Sequence, residues 1–475
     1  MKNSKTPLIS IITVNYNGKH LLNDCFTALE RLEYPKNQYE VIMVDNDSKD
    51  NSVSFVKKNF PKVIIVESKA NTGFTGGNQL GLEKAKGDYI ILLNNDTAVD
   101  KNWLNEIVKS AKKKKTGIVT SKLFFDTPFL ELVIKSDSVP KSLIDSGINF
   151  SPIGILVEDV VCKNKDISDL IWYKSGFKEK KNGDIITRWT KGEGKILLPF
   201  GKSESEAYSI KIHGYPTNYS LSTPVKIEVN NKVIYSGKIS SNEVKQIDFE
   251  LNRKDFKNDF INLVQNAGNI IFKDGYSKDR GSILRINNKE RLEFYEEDNE
   301  YFNKEVKLLA SCGAACLIKR ELIDKIGFLD GHYFMYYEDV DFSLRAWRTG
   351  WDIVYSPKAI VRHKHKASTG KAESEFFLHM VERNHLAFVV THFPISTIVT
   401  QISLFFSQLA ITLIKFNLFR FRNNMQRTNV WRIKSKARIK TANFLLHNLF
   451  RLTTNRIFWK KREVRTYETM KKLLY

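Results

Sequence analysis

The strongest candidate for a chemical site is a polar block, residues 94–97, that directly follows the apolar run 89–93. An apolar run this short, preceded by a turn signal at 86–88, is typical of a strand buried on both faces of a parallel sheet. Ligands of open α/β sheets bind at the carboxyl ends of the strands. Asp96 is therefore a candidate to hold a metal ion and a diphosphate, with a plain strand-ending turn as the alternative.

Two earlier apolar runs, 8–14 and 39–44, also end in polar residues, at 15–17 and 45–48. Segments with helical spacing of apolar residues separate the runs, and a third short run occupies 63–66. Strands that alternate with helices predict an α/β fold with a doubly wound, mostly parallel sheet. The polar blocks should then meet at one edge of that sheet.

A glycine-rich segment, residues 71–81, follows the third run. Its glycines would let backbone N–H groups approach a ligand closely, and the helix after it would offer its positive end to phosphate. The segment is neither the G-x-G-x-x-G fingerprint nor a Walker A loop, so a plain turn is the alternative.

In the second half of the chain, three carboxylates, Glu338, Asp339 and Asp341, fall in the first turn of a helix predicted from the apolar spacing that reaches Trp347. The helix dipole favours carboxylates at this position, which is a purely structural explanation for them. Taken alone, the three carboxylates favour this structural explanation over a catalytic one.

Residues 151–263 differ in pattern, because apolar and polar residues alternate there without intervening helices. Together with a hairpin signal at Asn230 and Asn231, this alternation predicts a small inserted β-sandwich. The segments 144–150 and 264–272 resemble each other, which indicates that the first fold resumes after the insert.

The insert contains Trp172 and Trp189, together with several tyrosines. These aromatic side chains would either bind carbohydrate or form the core of the predicted sandwich.

The blocks at 10–17, 44–48, 71–78 and 93–97 resemble, in their order and spacing, the signature motifs of glycosyltransferase family 2, and especially of its rhamnosyltransferase-like branch. The resemblance implies a GT-A fold and a nucleotide-sugar donor. It implies donor contacts by Val14, Asn15, Tyr16, Asn17, Asp45, Asn71, Gly73, Phe74, Gly76, Asn78 and Asn95. It also implies a divalent metal, Mg²⁺ or Mn²⁺, held by Asp96 and His363, with His365 as the alternative ligand, and catalysis by Asp339 as the base beside Glu338.

In such a reaction the acceptor hydroxyl loses its proton to Asp339 in a single displacement that inverts the anomeric carbon. Asn94 stands where many relatives carry the first Asp of a D-x-D motif, which predicts a weaker metal site. The Gln-x-x-Arg-Trp motif of processive polysaccharide synthases is absent, so a polymer-extending synthase is not expected.

The formal net charge of +22 comes mostly from the region after residue 411, which has seventeen basic and two acidic residues. An apolar stretch at 388–419, interrupted by Pro394, lies beside this region. Apolar and basic residues together predict a helical, membrane-associating region that lies in the plane of an anionic membrane or spans it, while a solvated basic bundle is the alternative.

Four expected parts follow: residues 1–150 for nucleotide-sugar binding, 151–263 for the β-sandwich, 264–385 for catalysis and acceptor binding, and 386–475 for the basic helices. The four cysteines lack metal-site spacing and should be buried, reduced thiols. No apolar signal segment follows Met1, so we expect a cytoplasmic protein, peripheral on the inner face of the cell membrane.

The predicted function is inverting transfer of a sugar from dTDP-rhamnose or a UDP-hexose to a glycan precursor of the cell surface, which we expect to be lipid-linked. The family likeness alone suggests these donors. Two alternatives stay open: a carbohydrate-binding protein with a degenerate transferase domain, and a nucleic-acid-binding protein that uses the basic tail. The prediction is that nucleic acid is not a partner.

Overall fold

The computed structural model describes residues 7–140, 152–165, 167–182, 185–215, 220–287, 290–364, 374–422 and 425–475. The chain forms two compact units. The first unit consists of Met1–Asp126, Val264–Ile283 and Asn299–Tyr475, and the second of Thr127–Leu263 and Leu284–Asp298. The second unit begins before the expected boundary at 151, because strand Phe129–Ser136 already pairs within its sheet.

The α-helices of the described residues all belong to the first unit. They are α1 Lys19–Glu30, α2 Ser52–Asn59, α3 Gly73–Lys84, α4 Trp103–Ala111, α5 Arg320–Ile326, α6 Glu338–Arg348, α7 Glu375–His392, α8 Ile395–Phe421, α9 Met425–Lys461 and α10 Tyr467–Lys471.

The strands divide between the two units and their junctions. Up to residue 162 they are β1 Ile9–Asn15, β2 Tyr39–Asp45, β3 Ile64–Glu67, β4 Tyr89–Leu93, β5 Thr97–Val99, β6 Thr116–Phe125, β7 Phe129–Ser136, β8 Val139–Pro140, β9 Pro152–Ile153 and β10 Leu156–Cys162. The next are β11 Trp172–Asn182, β12 Ile185–Pro199, β13 Ser205–His213, β14 Ser222–Val229, β15 Lys232–Ser240, β16 Val244–Asn252 and β17 Leu263–Asn266. The last are β18 Asn269–Ile271, β19 Ser277–Asp279, β20 Ser282–Asn287, β21 Glu290–Glu297, β22 Val306–Leu308, β23 Ala315–Lys319 and β24 Asp352–His363.

The central sheet of the first unit has the strand order β17-β6-β23-β4-β1-β2-β3. Strands β1 to β4 are parallel to their neighbours among themselves, whereas β23 is antiparallel to both β4 and β6. Strand β24 runs parallel to β6 and carries β5 and β22 antiparallel to itself. The predicted α/β fold with a mostly parallel sheet is therefore confirmed.

Strand β1 shows why the apolar runs are continuous. Ile9 and Ile11 pack into the core on one face of the sheet, whereas Ile12 packs into the core on the other face. A strand with helices on both faces has no side that water can reach, so both sets of side chains must be apolar.

The glycine-rich segment differs from the loop that we expected, because α3 begins at Gly73 and includes the later glycines. A Cβ atom at Gly77 would meet Val14, and one at Gly81 would meet Ile12. These glycines therefore let α3 lie close against β1. Among the glycines of the segment 71–81, Gly73 alone has a left-handed backbone conformation, with φ at +72°.

The second unit contains one antiparallel sheet with the order β15-β14-β7-β12-β10-β13-β16, and β11 pairs with β12. Its edge strands β15 and β16 contact each other, so the sheet curls around its own core. The predicted alternation is present, for example along β13, but the strands form one curled sheet rather than the two stacked sheets of a sandwich. Trp172 contacts the rings of Phe129, Phe294 and Tyr295.

The predicted apolar stretch 388–419 is divided between two helices. Phe388 lies in the buried end of α7, and Pro394 precedes the first residue of α8. Helix α8 packs against α9, and among the described residues it is the one helix long and apolar enough to cross a membrane by length and composition.

The four cysteines, Cys25, Cys162, Cys312 and Cys316, are not paired in disulfides. Three of them are buried and Cys312 is partly buried. Burial raises the pKa of each thiol, that of Cys25 to about 12. The segment 144–150, whose likeness to 264–272 the sequence suggested, lies outside the described residues.

Candidate active site

The polar ends of β1 and β2 lie side by side, because Asn15 is opposite Asp45 in the parallel register. The Asn15 Nδ2 group donates to Asp45 Oδ1 at 3.3 Å and to Ser48 Oγ at 3.1 Å. The Asn15 Oδ1 atom accepts a 2.9 Å bond from Asn95 Nδ2. Asn15, Asp45 and Asn95 are all buried, so three sequence-predicted residues from three strand ends meet in one hydrogen-bonded group.

Asn46 joins this group to the start of α3. Its Nδ2 donates to Asn71 Oδ1 and to the Gly73 carbonyl, both at 3.0 Å, and its Oδ1 accepts from Thr72. We did not select Asn46 from the sequence, although it directly follows Asp45. Its position in the same polar block was the signal that could have identified it.

The other predicted donor residues lie around this group, with different surroundings. Tyr16 is 49% exposed, and Asn17 accepts a 2.7 Å bond from the Lys49 N–H. Val14 packs against Gly77 of α3, Gly76 lies against Thr72 at the start of that helix, and the buried Asn78 donates to the Phe74 carbonyl.

Phe74 reaches toward the catalytic side. Its ring lies beside Gly313, where a Cβ atom would be 3.5 Å from Phe74 Cζ and 3.3 Å from Asp339 Cβ. The start of α3 is thus next to the predicted base.

The predicted metal pair is brought together by strand pairing, since the β5–β24 register places His363 opposite Thr97. His363 Nε2 and Asp96 Oδ1 are 3.0 Å apart, and both residues are buried. His363 Nδ1 lies 2.6 Å from Gln265 Oε1, which is an acceptor. With its Nδ1 hydrogen directed at Gln265, the ring would offer Nε2 as a ligand atom beside Asp96 Oδ1, and one cation would reach both atoms.

These two residues fit a divalent cation as a partial ligand set. Among the described residues there is no group of three or more His, Cys, Asp or Glu side chains suited to hold a metal ion. The alternative ligand His365 lies outside the described residues. Oxygen atoms of the diphosphate and of water would add to the two ligands that the described residues offer.

The predicted base lies at the start of α6. Asp339 Oδ2 accepts from the Gly313 N–H at 2.8 Å and from Asn269 Nδ2 at 3.3 Å, and its Oδ1 accepts from the Val340 N–H at 2.8 Å. Burial raises the pKa of the Asp339 carboxyl, and these hydrogen bonds oppose the rise. Asp339 therefore has three donors that stabilise its carboxylate form.

Glu338 differs from its neighbour. Burial, followed by repulsion from Asp339, raises the pKa of the Glu338 carboxyl well above its usual value. Glu338 is buried, whereas Asp339 keeps part of its surface exposed. Burial and the neighbouring charge thus favour the protonated form of Glu338, whereas three hydrogen-bond donors favour the carboxylate form of Asp339.

Asp341 has a structural role in this helix. Its carboxylate pairs with Arg345 Nε at 2.7 Å and with His392 Nε2 at 2.8 Å. Although burial acts to raise it, the pKa of Asp341 falls to about 2, because Arg345 and His392 stabilise the charge. Asp341 therefore anchors α6 on α7.

One short segment links the metal pair to the base. Gln265 in β17 contacts His363, and Asn269 at the start of β18 contacts Asp339. The Asn94 N–H donates to the Ala314 carbonyl, next to Gly313. We did not select Gln265, Asn269 or Gly313 from the sequence; the likeness of 264–272 to an earlier segment was a signal for the region but not for the individual residues.

The strand order and the polar ends of the parallel strands define a fold of GT-A architecture. Two family models match the chain: "Glycosyl transferase family 2" over residues 10–170 and "Glycosyltransferase like family 2" over residues 272–381. The chain belongs to glycosyltransferase family 2, as the sequence motifs predicted.

Similar proteins match over limited regions. A poly(ribitol-phosphate) beta-glucosyltransferase of Bacillus spizizenii is 31% identical over 30% of this chain and 24% of its own length. An N-acetylglucosaminyl-diphospho-decaprenol L-rhamnosyltransferase of Mycobacterium tuberculosis is 42% identical over 12% of this chain and 19% of its own. The match thus spans about a quarter of the first relative's length.

Among solved structures, a mannosyltransferase from Pyrobaculum calidifontis covers 92% of this chain and 88% of its own, at 10% identity and a TM-score of 0.39. The fold assignment rests on the strand order and the family matches, not on this similarity.

Proposed function

We propose that the protein is an inverting glycosyltransferase, with dTDP-rhamnose or a UDP-hexose as donor and a hydroxyl of a cell-surface glycan precursor as acceptor. The observation that carries the proposal is the short segment through which Gln265 contacts the Asp96–His363 pair and Asn269 contacts the base Asp339. This connection supports a single site in which Asp96 and His363 would hold the cation of the diphosphate and Asp339 would take the proton.

The donor side would bind the nucleotide. Asn15 and Asp45 would contact the nucleobase and ribose, with Tyr16 and Asn17 at the exposed rim. The start of α3 would lie near the donor sugar, since Phe74 is close to Gly313 and Asp339. Hydrogen bonds among Asn15, Asp45 and Asn95 hold these groups in place before a donor arrives.

Asp96 and His363 would hold Mg²⁺ or Mn²⁺, and the bound cation would neutralise charge on the departing diphosphate. Gln265 fixes the orientation of the His363 ring through the Nδ1 contact. Because the described residues contribute two ligands, we expect modest metal affinity.

Asp339 would take the proton of the acceptor hydroxyl. The hydroxyl oxygen forms a bond with the anomeric carbon while the bond between that carbon and the diphosphate oxygen breaks. The nucleoside diphosphate leaves from the opposite face, which inverts the anomeric centre. Glu338, kept neutral by burial, adds no second negative charge beside the base.

A donor screen tests this proposal. The full chain is incubated with dTDP-rhamnose, UDP-glucose, UDP-N-acetylglucosamine and GDP-mannose, each with Mn²⁺, Mg²⁺ or EDTA, and release of nucleoside diphosphate is measured. We expect one donor to turn over, with a loss in EDTA. Donor binding without turnover under all conditions would instead support a carbohydrate-binding protein with a degenerate transferase domain.

We further propose that the protein acts at the inner face of an anionic membrane. Helix α8 exposes Ile395, Ile414 and Phe421, and α9 exposes Leu446 and Phe450. Basic residues are concentrated in α9 and in the segment after it. Apolar side chains beside positive charge suit insertion into an anionic lipid surface.

An in-plane position fits α8 better than a spanning one. Near the middle of α8, Gln408 accepts hydrogen bonds from Arg438 of α9, and Arg438 also pairs with Glu382 at 3.0 Å. A spanning α8 would draw this charged pair into hydrocarbon, which is costly. The decaprenol in the name of the Mycobacterium tuberculosis relative supports a lipid-linked acceptor.

Vesicle flotation tests the membrane proposal. We expect the protein to float with phosphatidylglycerol-containing vesicles but not with pure phosphatidylcholine, and to dissociate partly at high salt. Phe450→Ser should weaken flotation, whereas Ile64→Ser, a change of another exposed apolar residue, should not. No flotation, together with tight binding of duplex DNA, would favour the nucleic-acid alternative.

A further inference from the structure

The turn that precedes the catalytic helix has a strained backbone. The Met335 N–H donates to the Tyr333 carbonyl at 2.6 Å, and Phe334 between them has φ of 59° and ψ of −61°. These are the values of the rare, positive-φ form of the γ-turn. Tyr336 and Tyr337 follow with φ of 67° and 69°.

Bulky L-residues avoid positive φ, because Cβ then crowds the backbone. Three such residues in four positions persist only where the surroundings hold them. Tyr337 is the residue from which α6 starts, directly before Glu338 and Asp339. The conformation of the turn thus sets where the catalytic carboxylates lie.

Asn384 in α7 holds this turn. It is buried, and its Nδ2 lies within hydrogen-bond distance of three carbonyl oxygens, those of Tyr333 at 3.0 Å, Met335 at 2.8 Å and Tyr336 at 2.8 Å. One amide group therefore gathers three carbonyls that would otherwise repel one another.

Arg383 fixes the orientation of that amide. Its Nε donates to Asn384 Oδ1 at 2.9 Å, so the Asn384 Nδ2 group must point toward the turn. The Arg383 Nη2 group also donates to the His332 carbonyl at 2.6 Å and the Tyr333 carbonyl at 3.2 Å.

The turn also contacts the donor side of the site. The Phe334 carbonyl accepts from the Thr75 N–H at 3.0 Å, in the first turn of α3. A Cβ atom at Gly73 would lie 2.5 Å from that carbonyl, so glycine is needed for this close approach. A shift of the turn would therefore move the start of α3 and the start of α6 together.

We infer that Asn384 is a positioning residue for the transfer reaction: by binding the carbonyls of Tyr333, Met335 and Tyr336, it keeps the strained turn in the conformation that places Asp339 against the acceptor. The inference rests on the proposed function and assigns a catalytic consequence to a residue outside the catalytic groups. Its chemistry is hydrogen-bond donation alone.

The first test is Asn384→Asp, which keeps the shape of the side chain but replaces its donors with acceptors. We expect kcat to fall about 100-fold, because a displacement of about 1 Å at a reacting group has that effect, and the Kd for the nucleotide-sugar donor to rise by a smaller factor, since the start of α3 moves with the turn. Asn455→Asp makes the same change on α9, in the wall of a cavity of about 180 Å³ that Asn384 also lines. This control should keep the parent kcat.

A second test is rescue by glycine. Tyr336→Gly removes the penalty for positive φ at that position. The turn is then less strained and depends less on the hydrogen bonds from Asn384. Introduced into Asn384→Asp, Tyr336→Gly should recover kcat at least about fivefold. If Asn384 served only to stabilise α7, glycine in the turn would leave kcat low.

The third measurement does not depend on turnover. Amide hydrogen exchange in peptides that cover residues 333–341 should become faster in Asn384→Asp than in the parent and in Asn455→Asp. If Asn384→Asp fails to fold, Arg383→Lys is used in its place. This change removes the bond from Arg383 Nε to Asn384 Oδ1 and keeps the positive charge, and we expect the same fall in kcat and the same faster exchange.

Unchanged exchange in the turn, or an unchanged kcat in the folded variant, would overturn the inference. If the parent turns over no donor, and amide exchange in the turn is still faster in the variant than in the parent, the proposed function is overturned. The role of Asn384 in the turn would then stand.

Discussion

On the donor side of the sheet, buried amides bond to one another, whereas on the catalytic side, buried carboxylates lie next to each other. Asn15, Asp45 and Asn95 share hydrogen bonds, and Asn46 extends them to the start of α3. Glu338 and Asp339 instead have pKa values that burial raises. The comparison contrasts a hydrogen-bonded polar surface with two neighbouring carboxyl groups whose burial favours the protonated form.

The two sides also differ in how the chain builds them. The donor side comes from residues within the first 95 of the chain, at the ends of consecutive strands. The catalytic side joins segments from 265 to 363, after the second unit has interrupted the fold. Substitutions should therefore affect donor affinity on one side and kcat on the other.

The largest expected effect is that of Asp339→Asn. Loss of the base should lower kcat by about 10³-fold, within the range for general-base catalysis, while the donor Kd changes little. Steady-state kinetics and calorimetric donor titration measure the two quantities. Asp324→Asn, an exposed site on α5, is the matched control. A donor Kd that rises as steeply as kcat falls would mean that the two sides are not separate.

A smaller effect is expected for Gln265→Ala, which removes the outer partner of His363. Loss of such a partner weakens metal binding about 10- to 100-fold. The Mn²⁺ concentration for half-maximal activity should rise accordingly, with kcat recovered at saturating Mn²⁺. If the half-saturating concentration does not move, His363 is not held for a metal.

On the donor side, Asn15→Ala removes the bonds to Asp45, Ser48 and Asn95. Each bond contributes about 1 kcal/mol, so the free energy of donor binding or of unfolding should fall by a few kcal/mol at most. The value of kcat at saturating donor should change little. Asn59→Ala, an exposed asparagine on α2, is the control. A large fall in kcat would place Asn15 in the chemistry and remove the contrast.

The smallest effect to resolve is the pH dependence. Asp339 must be deprotonated to act, and burial raises its pKa. As the pH is lowered through this raised pKa, kcat should fall about tenfold per pH unit, and the fall should begin at a higher pH than for an ordinary aspartate. The Asp341 pair with Arg345 contributes stability above the ordinary pKa of 3.8 and loses it as the pH falls toward about 2. Activity should therefore be lost while circular dichroism still reports a folded protein.

The fold was predictable because its cause is local. Apolar runs with polar ends identify parallel strands and their functional edge, and the register then places Asn15 beside Asp45. His363 came from family resemblance, and its contact with Asp96 follows from the pairing of β5 with β24. These site assignments stay predictions of function until the kinetics above are measured.

Other features depend on contacts that no local pattern encodes. Gln265 and Asn269 reach the site only because β17 pairs with β6, far away in the sequence. The glycines at 73, 77 and 81 had a usable signal, since a spacing of four places them on one helical face, but we interpreted the segment as a loop close to a ligand, with a plain turn as the alternative. Alternation in the second unit predicts strands, yet it cannot distinguish a sandwich from one curled sheet.

The buried thiols give this protein a practical advantage for spectroscopy. Since the thiolate is the reactive form, cysteines with raised pKa values react slowly with maleimides. A cysteine introduced on the exposed face of α7, for example Phe376→Cys, would therefore accept a fluorophore ahead of the four native ones. Single-site dyes could then follow movement beside the catalytic turn during a reaction cycle, without prior removal of native cysteines.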